Sequence, residues 1–300
     1  MEKQVEAPIF EIQRFSIHDG PGIRTLVFFK GCHLSCKWCQ NPESQAMEPV
    51  VAFYENRCKE SFDCQVVCPE DAIINGRFRI NYDKCTACGK CVEACAYQAL
   101  KLIGDRMTPE GLLAKILLDL PYYQQSGGGV TFSGGEPTLH TDFLDQTLTL
   151  CQTEGIHTVL ETCGTFSFSV WEPILRKLDL IYFDLKIIDS EDHKRATSVP
   201  NTAVLKNAKK LVTENYPVEF RMPLVQGYTD TEENLRQTIL LLKEMGQTKI
   251  HLLKYHNMGE TKIDIIQGSQ EKMNLPSYPD SEFERIKAYF SGEGIEVYGG

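Results

Sequence analysis

Three cysteines lie close together in one short loop in the first part of the chain. Cys32, Cys36 and Cys39 are spaced as CxxxCxxC within residues 31–42. Thiolates at this spacing can ligate three corners of an iron–sulfur cube. No fourth cysteine lies nearby, so one iron would keep an open position, which is where catalytic metal sites bind substrate. A zinc knuckle that includes His33, or a disulfide loop, is the alternative interpretation.

A second group of cysteines lies within residues 50–103. Four of them have the CxxCxxCxxxC spacing that is typical of bacterial ferredoxins: Cys85, Cys88, Cys91 and Cys95. An earlier run has the same layout with Ser61 in place of the second cysteine, and contains Cys58, Cys64 and Cys68. Similar residues follow both runs, so they form an internal repeat. This pattern predicts an inserted α+β domain of the two-cluster ferredoxin type, because a pair of zinc ribbons would use isolated CxxC pairs.

The two predicted auxiliary clusters differ in their ligands. In two-cluster ferredoxins each run gives three cysteines to one cluster and its fourth to the other. One cluster should therefore be complete, with the ligands Cys68, Cys85, Cys88 and Cys91. The other would have only Cys58, Cys64 and Cys95, and its fourth iron must take Ser61, Asp63, water or an outside ligand. The alternative is that this second site binds no cluster.

The rest of the sequence alternates between strand and helix patterns. A segment over residues 10–24 runs into a tight turn at Gly20-Pro21-Gly22. The predicted strands are 25–30, 130–133, 157–162, 178–185, 218–224, 249–255 and 295–298, and the predicted helices begin at Pro109 or cover 141–154, 231–245 and 280–291. Repeated β-then-α order favours a parallel sheet.

About six such units predict a partial, TIM-like (β/α)6 barrel of the α/β class, open on one side, because a closed barrel needs eight. The predicted domains are residues 1–49 together with 104–300 for the barrel, and 50–103 for the insert. Polar residues recur where the predicted strands end, which is how barrels place catalytic groups on one rim. They are Glu136, Glu161, Asp184, Arg221 and His256.

Composition excludes several classes of partner and compartment. The net charge is −10 without a long basic run, which argues against nucleic acid, whose phosphates bind clustered Lys and Arg. No apolar run approaches the length of a membrane span, and the first residues lack the core of a signal peptide. Twelve cysteines therefore favour metal binding in a reducing cytoplasm over a disulfide scaffold. Cys151 and Cys163 stand apart from the two groups and are expected to be small buried side chains.

Taken together, the motifs resemble those of the glycyl radical enzyme activating enzymes, a family of the radical S-adenosylmethionine superfamily typified by the pyruvate formate-lyase activating enzyme. The resemblance covers nearly the whole chain and rests on residues 18–24, the Cys32 loop with Trp38, and residues 41–43, 133–137, 161–164, 184–186 and 255–257. The insert is similar to that of the longer members, which act on radical dehydratases, decarboxylases and lyases. Any one of these motifs alone would be weak evidence for the resemblance to this family.

The resemblance implies a role for each site residue. Cys32, Cys36 and Cys39 would hold the radical-generating [4Fe-4S] cluster, whose open iron binds the amino and carboxylate groups of S-adenosylmethionine. The residues expected to contact this cofactor are Trp38, Cys39, Gln40, Gly134, Gly135, Glu136, Asp184, Leu185, Lys186, Arg221 and His256. Asp19 is expected beside the glycine of the partner, and Lys186 at the catalytic centre. Glu161, Thr162 and Asp184 would hold a monovalent cation. A zwitterionic amino acid needs one acid and one or two bases on the rim, which agrees with this set.

The sequence departs from the family pattern at Glu161, Cys163, Lys254 and Ser61. The implied function is reductive cleavage of S-adenosylmethionine to a 5′-deoxyadenosyl radical, which takes a hydrogen atom from a backbone glycine of a partner glycyl radical enzyme. Flavodoxin or ferredoxin is the expected electron donor, and the chain is expected to be a monomer. The alternatives are a radical peptide maturase, which usually carries its auxiliary clusters after the barrel, and an electron-transfer ferredoxin fused to an inert barrel.

Overall fold

The computed structural model describes residues 4–76, 79–266 and 270–299. Its strands are β1 (Ala7–Ser16), β2 (Arg24–Phe29), β3 (Val50–Phe53), β4 (Leu100–Ile103), β5 (Asp105–Met107), β6 (Gly129–Gly134), β7 (His157–Thr162), β8 (Leu180–Asp184), β9 (Val218–Leu224), β10 (Lys249–Lys254) and β11 (Glu296–Tyr298). Its helices are α1 (Asp63–Val66), α2 (Lys90–Glu93), α3 (Pro109–Ile116), α4 (Leu120–Ser126), α5 (Thr141–Thr153), α6 (Phe168–Leu175), α7 (Ser190–Thr197), α8 (Thr202–Thr213), α9 (Glu232–Glu244), α10 (Met258–Ile266) and α11 (Asp280–Gly292).

One large sheet organises the fold. Its strand order is β11-β10-β9-β8-β7-β6-β2-β1-β5. Every neighbouring pair from β2 to β11 is parallel, whereas β1 and β5 add antiparallel strands at one edge. The two end strands do not pair with each other among the described residues. The predicted partial α/β barrel is therefore confirmed, with two antiparallel strands that the sequence patterns did not predict as part of it.

The helices cover the outer face of the sheet and form the main core with it. The Phe29 ring of β2 lies 6.2 Å from that of Phe132 on β6 and 5.8 Å from that of Phe143 on α5. All three side chains are almost fully buried, and burying one such side chain contributes about 1.5–3 kcal/mol. This packing holds the strands so that their carboxyl ends lie along one edge.

Several predicted element boundaries are confirmed. β7 and β9 begin and end where the sequence pattern placed them. Thr108 caps α3 by accepting a hydrogen bond from the Gly111 amide (3.1 Å), with Pro109 as the first helical residue. α5 ends one residue earlier than predicted, and Gly155 follows with φ +65°. No helix was predicted over α6, α7, α8 or α10; α6 contains Pro173, and the polar composition of α7 hides its period.

The insert is a small unit with its own core. β3 and β4 form a separate antiparallel pair in which Val50 lies opposite Ile103. This pairing supports our proposed division of the chain at residues 50 and 103. Apolar side chains from both halves of the insert pack between the cysteines; they include Val51, Phe53, Ile73, Ile80 and Leu100.

The internal repeat extends to the backbone of the insert. Corresponding residues, twenty-seven positions apart, share left-handed φ angles: Glu60 and Ala87, Phe62 and Gly89, and Asp71 and Gln98. The sulfurs of Cys68 and Cys95 each accept a hydrogen bond at 3.3 Å from a backbone amide four residues later. The two halves are therefore related in geometry, although only one half has a cysteine at the position of Ser61.

Within the described ranges, no helix combines the length and the apolar character that crossing a bilayer requires.

Candidate active site

The Cys32 loop follows directly from β2 and lies at the carboxyl end of the parallel strands. Backbone hydrogen bonds hold it from two sides. The amide of Gly31 donates to the Ser44 carbonyl (2.6 Å). The amides of Ser35 and Lys37 donate to the last turn of α7, at 2.8 and 3.0 Å. α7, which the sequence analysis did not predict, is therefore one of the supports of the loop.

The Gly134–Glu136 segment lies directly against the start of this loop. The Gly135 amide donates to the Phe29 carbonyl (2.8 Å), and the Glu136 amide donates to the Gly31 carbonyl (2.7 Å). A Cβ at Gly135 would lie only 2.1 Å from the Gly31 oxygen, and Gly134 has φ +112°. Glycine is required at both positions because a side chain would push the segment away from the loop.

The Glu136 carboxylate joins two strand ends. It is fully buried and accepts four hydrogen bonds from neighbouring groups. The donors are the Thr138 amide (3.1 Å) and hydroxyl (2.6 Å), the Thr162 hydroxyl (2.8 Å) and the Cys163 amide (2.8 Å). Satisfied buried networks of this kind are rigid, so Glu136 fixes the end of β6 against the end of β7.

A network of charged side chains follows on the rim of the next three strands. Arg221 on β9 donates from Nε to Asp184 Oδ1 on β8 (3.0 Å) and from Nη1 to Glu161 on β7. Lys186 Nζ lies 3.1 Å from the other Asp184 oxygen. The Ser133 hydroxyl donates to Glu161 at 2.5 Å. The side chains of Glu161 and Arg221 are each only 11% exposed, so the network is shielded from water.

Burial and neighbouring charges set the pKa values in this network. Burial alone would raise the pKa of Asp184, but the charges of Lys186 and Arg221 outweigh it and hold the pKa below its ordinary value. Burial would lower the pKa of Lys186, but Asp184 raises it above its ordinary value. At Glu161 burial prevails over Arg221 and raises the pKa. At neutral pH the rim therefore presents two cations beside a firmly ionised Asp184.

The three residues predicted to hold a monovalent cation do not converge. The Arg221 guanidinium lies between Glu161 and Asp184, and the Thr162 hydroxyl donates to Glu136. As placed, these side chains do not fit a cation, because a fixed positive charge already neutralises both carboxylates. A monovalent cation would have to displace Arg221 to bind here, so it stays a prediction that no contact of these residues supports.

The three cysteines of the loop are partly buried. Burial raises the pKa of Cys36 to about 12 and that of Cys39 to about 11. A hydrogen bond from the Cys163 thiol lowers the pKa of Cys32. Metal ligation needs thiolates, so cluster assembly here must release protons. Cys163 is buried as predicted, like Cys151, but its contact with Cys32 was not anticipated.

Other predicted cofactor-binding residues line a second region. Trp38, Gln40 and His256 border one open cavity of about 840 Å³, which Tyr255 and Tyr278 also line. The His256 side chain is exposed to solvent. Partial desolvation of its ring and the charge of Lys262 nevertheless lower its pKa below the ordinary value. The side chain of Leu185, by contrast, is buried. β9 connects the two regions, since Arg221 belongs to the rim and Pro223, two residues later, lines the cavity.

Asp19 lies on the inner face of the barrel. Its carbonyl accepts a hydrogen bond from the Thr131 hydroxyl (2.7 Å), and a Cβ at Gly20 would lie 3.2 Å from Val159. Thr131 and Val159 are register partners, and Val159 precedes Glu161 by two residues on the same face. A strand rises about 3.3 Å per residue, and Val159 and Glu161, which is on the rim, are two residues apart. The backbone of Asp19 therefore lies roughly 7 Å below the rim.

The insert contains two small cavities. The first is lined by Cys58, Cys64 and Cys95 together with Ser61, Phe62 and Arg79 among others. The second is lined by Cys68, Cys85, Cys88 and Cys91 among others. These are the cysteine sets that the sequence analysis assigned to the two clusters, and a soft thiolate donor set suits iron–sulfur chemistry.

Across residues 4–76, 79–266 and 270–299, no three His, Cys, Asp or Glu side chains converge on a single-ion position. The cysteines of a cubane surround four irons and four sulfides, so they need not converge on one point.

Residues 87–239 match the radical SAM superfamily, and residues 51–96 match the 4Fe-4S dicluster domain. The Cys32 loop precedes the first of these ranges, but relatives aligned over the whole chain include it.

Two curated relatives are activating enzymes of Clostridioides difficile. The chain is 35% identical to the 4-hydroxyphenylacetate decarboxylase activating enzyme of strain 630, covering 100% of this chain and 98% of the relative. It is 37% identical to the trans-4-hydroxy-L-proline dehydratase activating enzyme, and the alignment covers 96% of this chain and 97% of the relative.

Among solved structures, Streptococcus suis SuiB bound to precursor peptide SuiA shares the fold, with a TM-score of 0.56 at 15% identity over 89% of this chain and 46% of SuiB. At that identity the likeness concerns the fold alone. The family match over residues 87–239 and the two full-length relatives, each more than 30% identical, establish the family. The chain therefore belongs to the radical S-adenosylmethionine superfamily and, within it, to the activating enzymes of glycyl radical enzymes.

Proposed function

We propose that this chain cleaves S-adenosylmethionine reductively and transfers the resulting radical to a backbone glycine of a partner enzyme. The observation that carries the proposal is the direct contact between the Cys32 loop and the Gly134–Glu136 segment, beside a rim with two buried cations. An open iron in the loop would place the methionine part of the cofactor within reach of that rim. The relatives, which are activating enzymes by name, support the same reaction.

The rim suits the charged ends of a bound amino acid. Lys186 and Arg221 are the cations available for its carboxylate, and Asp184 is the ionised acid nearest to both. The Glu136 side chain is enclosed by its own hydrogen bonds. The backbone of Gly134, Gly135 and Glu136 is therefore the part of that segment that can face the amino group.

The cavity beside Trp38, Gln40 and His256 suits the nucleoside. Its lining includes the aromatic side chains of Trp38, Tyr255 and Tyr278, and it has a polar side at His256. Pockets that are mostly apolar with a few polar groups are the usual shape of nucleoside sites. Cys39, a predicted ligand of the cluster, lies in the sequence between Trp38 and Gln40, which line the cavity. It therefore connects the cluster site to the nucleoside cavity.

Cys32, Cys36 and Cys39 would hold the cluster, which would supply the one electron for cleavage of the sulfonium into methionine and a 5′-deoxyadenosyl radical. Transfer of one hydrogen atom from the partner's glycine Cα to that radical would give 5′-deoxyadenosine and a glycyl radical. Asp19 would border the glycine, and its position on the inner face below the rim supports this role. The open sheet leaves one side through which a polypeptide loop can enter.

The partner is a glycyl radical enzyme of the dehydratase, decarboxylase or lyase type. We further propose flavodoxin or ferredoxin as the electron donor, a monomeric enzyme, and a reducing cytoplasm that keeps the twelve cysteines out of disulfides. The insert would carry two auxiliary iron–sulfur clusters, one with four cysteines and one with three.

The test is anaerobic incubation of the reconstituted chain with S-adenosylmethionine, a low-potential reductant and a candidate partner. We expect 5′-deoxyadenosine, and a glycyl doublet in the electron paramagnetic resonance spectrum of the partner. Cofactor turnover that leaves the partner without a radical would favour a peptide maturase. No cofactor cleavage at all would favour an electron-transfer protein.

A further inference from the structure

Arg79 is a buried cation inside the insert. Its side chain is 4% exposed and lines the cavity that contains Cys58, Cys64 and Cys95. Nη2 donates to the Cys58 sulfur at 3.7 Å. Nε has no hydrogen-bond partner among the described residues. A guanidinium in this position has lost its hydration without gaining a carboxylate, which is costly unless an anion occupies the cavity.

Two aromatic rings hold the guanidinium in place. Its central carbon lies 5.4 Å from the Phe53 ring centroid and 4.8 Å from that of Phe62. Phe62 has φ +60°, a conformation that is unfavourable for a bulky residue and that Gly89 adopts freely in the other half. The rings orient Arg79 but do not neutralise it, so its charge is directed at the cavity.

The other half of the repeat has no such cation. The residue twenty-seven positions before Arg79 is Ala52, which is fully buried. The lining of the four-cysteine cavity contains one charged side chain, Glu70, and no Lys or Arg among the described residues. The two cavities therefore differ by a missing thiolate and by an added buried positive charge.

We propose that Arg79 is the counter-charge of the auxiliary cluster held by Cys58, Cys64 and Cys95, and that it raises the reduction potential of this cluster and not of its neighbour. The inference rests on the proposed pair of auxiliary clusters and not on the activation reaction. Reduction adds one electron, taken from a low-potential reductant, with no bond or proton changing. A nearby cation in a medium of low dielectric constant stabilises the added charge, as does a hydrogen bond to a ligand sulfur.

The experiment is an anaerobic redox titration of the holoprotein, followed by electron paramagnetic resonance. Cys58→Ala identifies the signal of the three-cysteine cluster by removing it. In Arg79→Gln we expect the ratio of reduced to oxidised cluster at a fixed potential to fall at least tenfold, a shift of about 59 mV for one electron. In Arg79→Lys the reduction potential of this cluster should lie between those of Arg79→Gln and the wild type. Lysine keeps the positive charge but lacks the planar guanidinium group.

The control is Lys59→Gln, which removes an exposed cation from the lining of the same cavity. It should leave both potentials unchanged because water screens an exposed charge. The four-cysteine cluster should keep its potential in every variant.

The outcomes are decisive in each direction. An unchanged potential in Arg79→Gln, or an equal shift of both clusters, overturns the proposal. If Arg79→Gln does not assemble the three-cysteine cluster, assembly in Arg79→Lys supports the counter-charge, and failure in both variants assigns Arg79 a packing role instead. An iron content near eight per chain in the wild type, in place of about twelve, removes the cluster that Arg79 would tune. None of these readings depends on the partner enzyme, so the activation reaction is tested separately.

Discussion

The Cys32 loop and the insert both gather cysteines, but they differ in what surrounds them. The loop is held by β6, α7 and the segment at Ser44, which are distant from one another in sequence. The insert surrounds its cysteines with a small apolar core from residues 51–100 and repeats one backbone unit. The comparison indicates that a site for substrate chemistry needs groups from many strand ends, whereas a site that only holds electrons can be built locally.

The largest expected effect comes from removing one thiolate from the Cys32 loop, which should separate the function of the loop from that of the insert. Cys36→Ala should abolish formation of 5′-deoxyadenosine and leave the auxiliary clusters intact, because their ligands are separate. Iron content should fall from about twelve to about eight per chain. Chromatography of the nucleoside product and an iron assay measure both. Cys151→Ala, which removes a buried thiol elsewhere, should keep the activity; cleavage at the wild-type rate by Cys36→Ala would refute the assignment of the loop.

The rim should be the most sensitive part of the barrel to loss of a charge. Arg221→Gln leaves Glu161 and Asp184 without their shared cation, which we expect to lower the free energy of unfolding by about 3–5 kcal/mol. The matched control is Arg236→Gln, which breaks an exposed pair with Glu233 and should cost less than about 1 kcal/mol. Denaturant titration compares the two, and equal losses would contradict the buried role of Arg221.

The support of the loop should also depend on pH through Lys30. Lys30 is fully buried and donates to the Glu43 carbonyl. Burial lowers its pKa from 10.5 to about 8. Between these values the unfolded chain binds more protons, so stability rises with pH, by up to about 3 kcal/mol.

Unfolding of the wild type and of Lys30→Met between pH 7.5 and 10 measures this contribution as a difference. The difference cancels the titration of groups that both proteins share. We expect the wild type to gain stability relative to Lys30→Met as the pH rises, and parallel curves would show that Lys30 is not responsible.

The smallest expected effect concerns the missing ligand of the insert. Ser61 is exposed, like its counterpart Cys88, and oxygen donors bind a soft iron site more weakly than thiolate. The three-cysteine cluster should therefore lose one iron on mild oxidation and give a [3Fe-4S] signal, which Ser61→Cys should suppress. Ser169→Cys adds an exposed thiol to the barrel instead and should have no effect. Identical oxidation of Ser61→Cys and the wild type would contradict the role of Ser61.

Much of the fold could be predicted because its signals are local. The strands over 157–162 and 218–224 were predicted with their observed ends, since each is a short run in which apolar and β-branched residues outnumber charged ones. α7 was missed because it buries only His193, Ala196 and Thr197, so its sequence shows little apolar period. α7 matters because its backbone carbonyl groups accept hydrogen bonds from the Cys32 loop. Every residue has a backbone carbonyl, so the sequence does not reveal this role.

By itself, the sequence determined the chemistry available to this protein: the cysteine spacings, the glycine segment, the polar strand ends and the repeat with its missing ligand. Only the tertiary structure decided which groups meet. Glu136 proved to be a buried link between strand ends, Arg221 lies between two carboxylates, and Arg79, in no motif, points its charge at one of two related cavities. The physical reason is that spacing along a chain specifies local geometry, whereas burial and charge pairing depend on residues that only folding brings together.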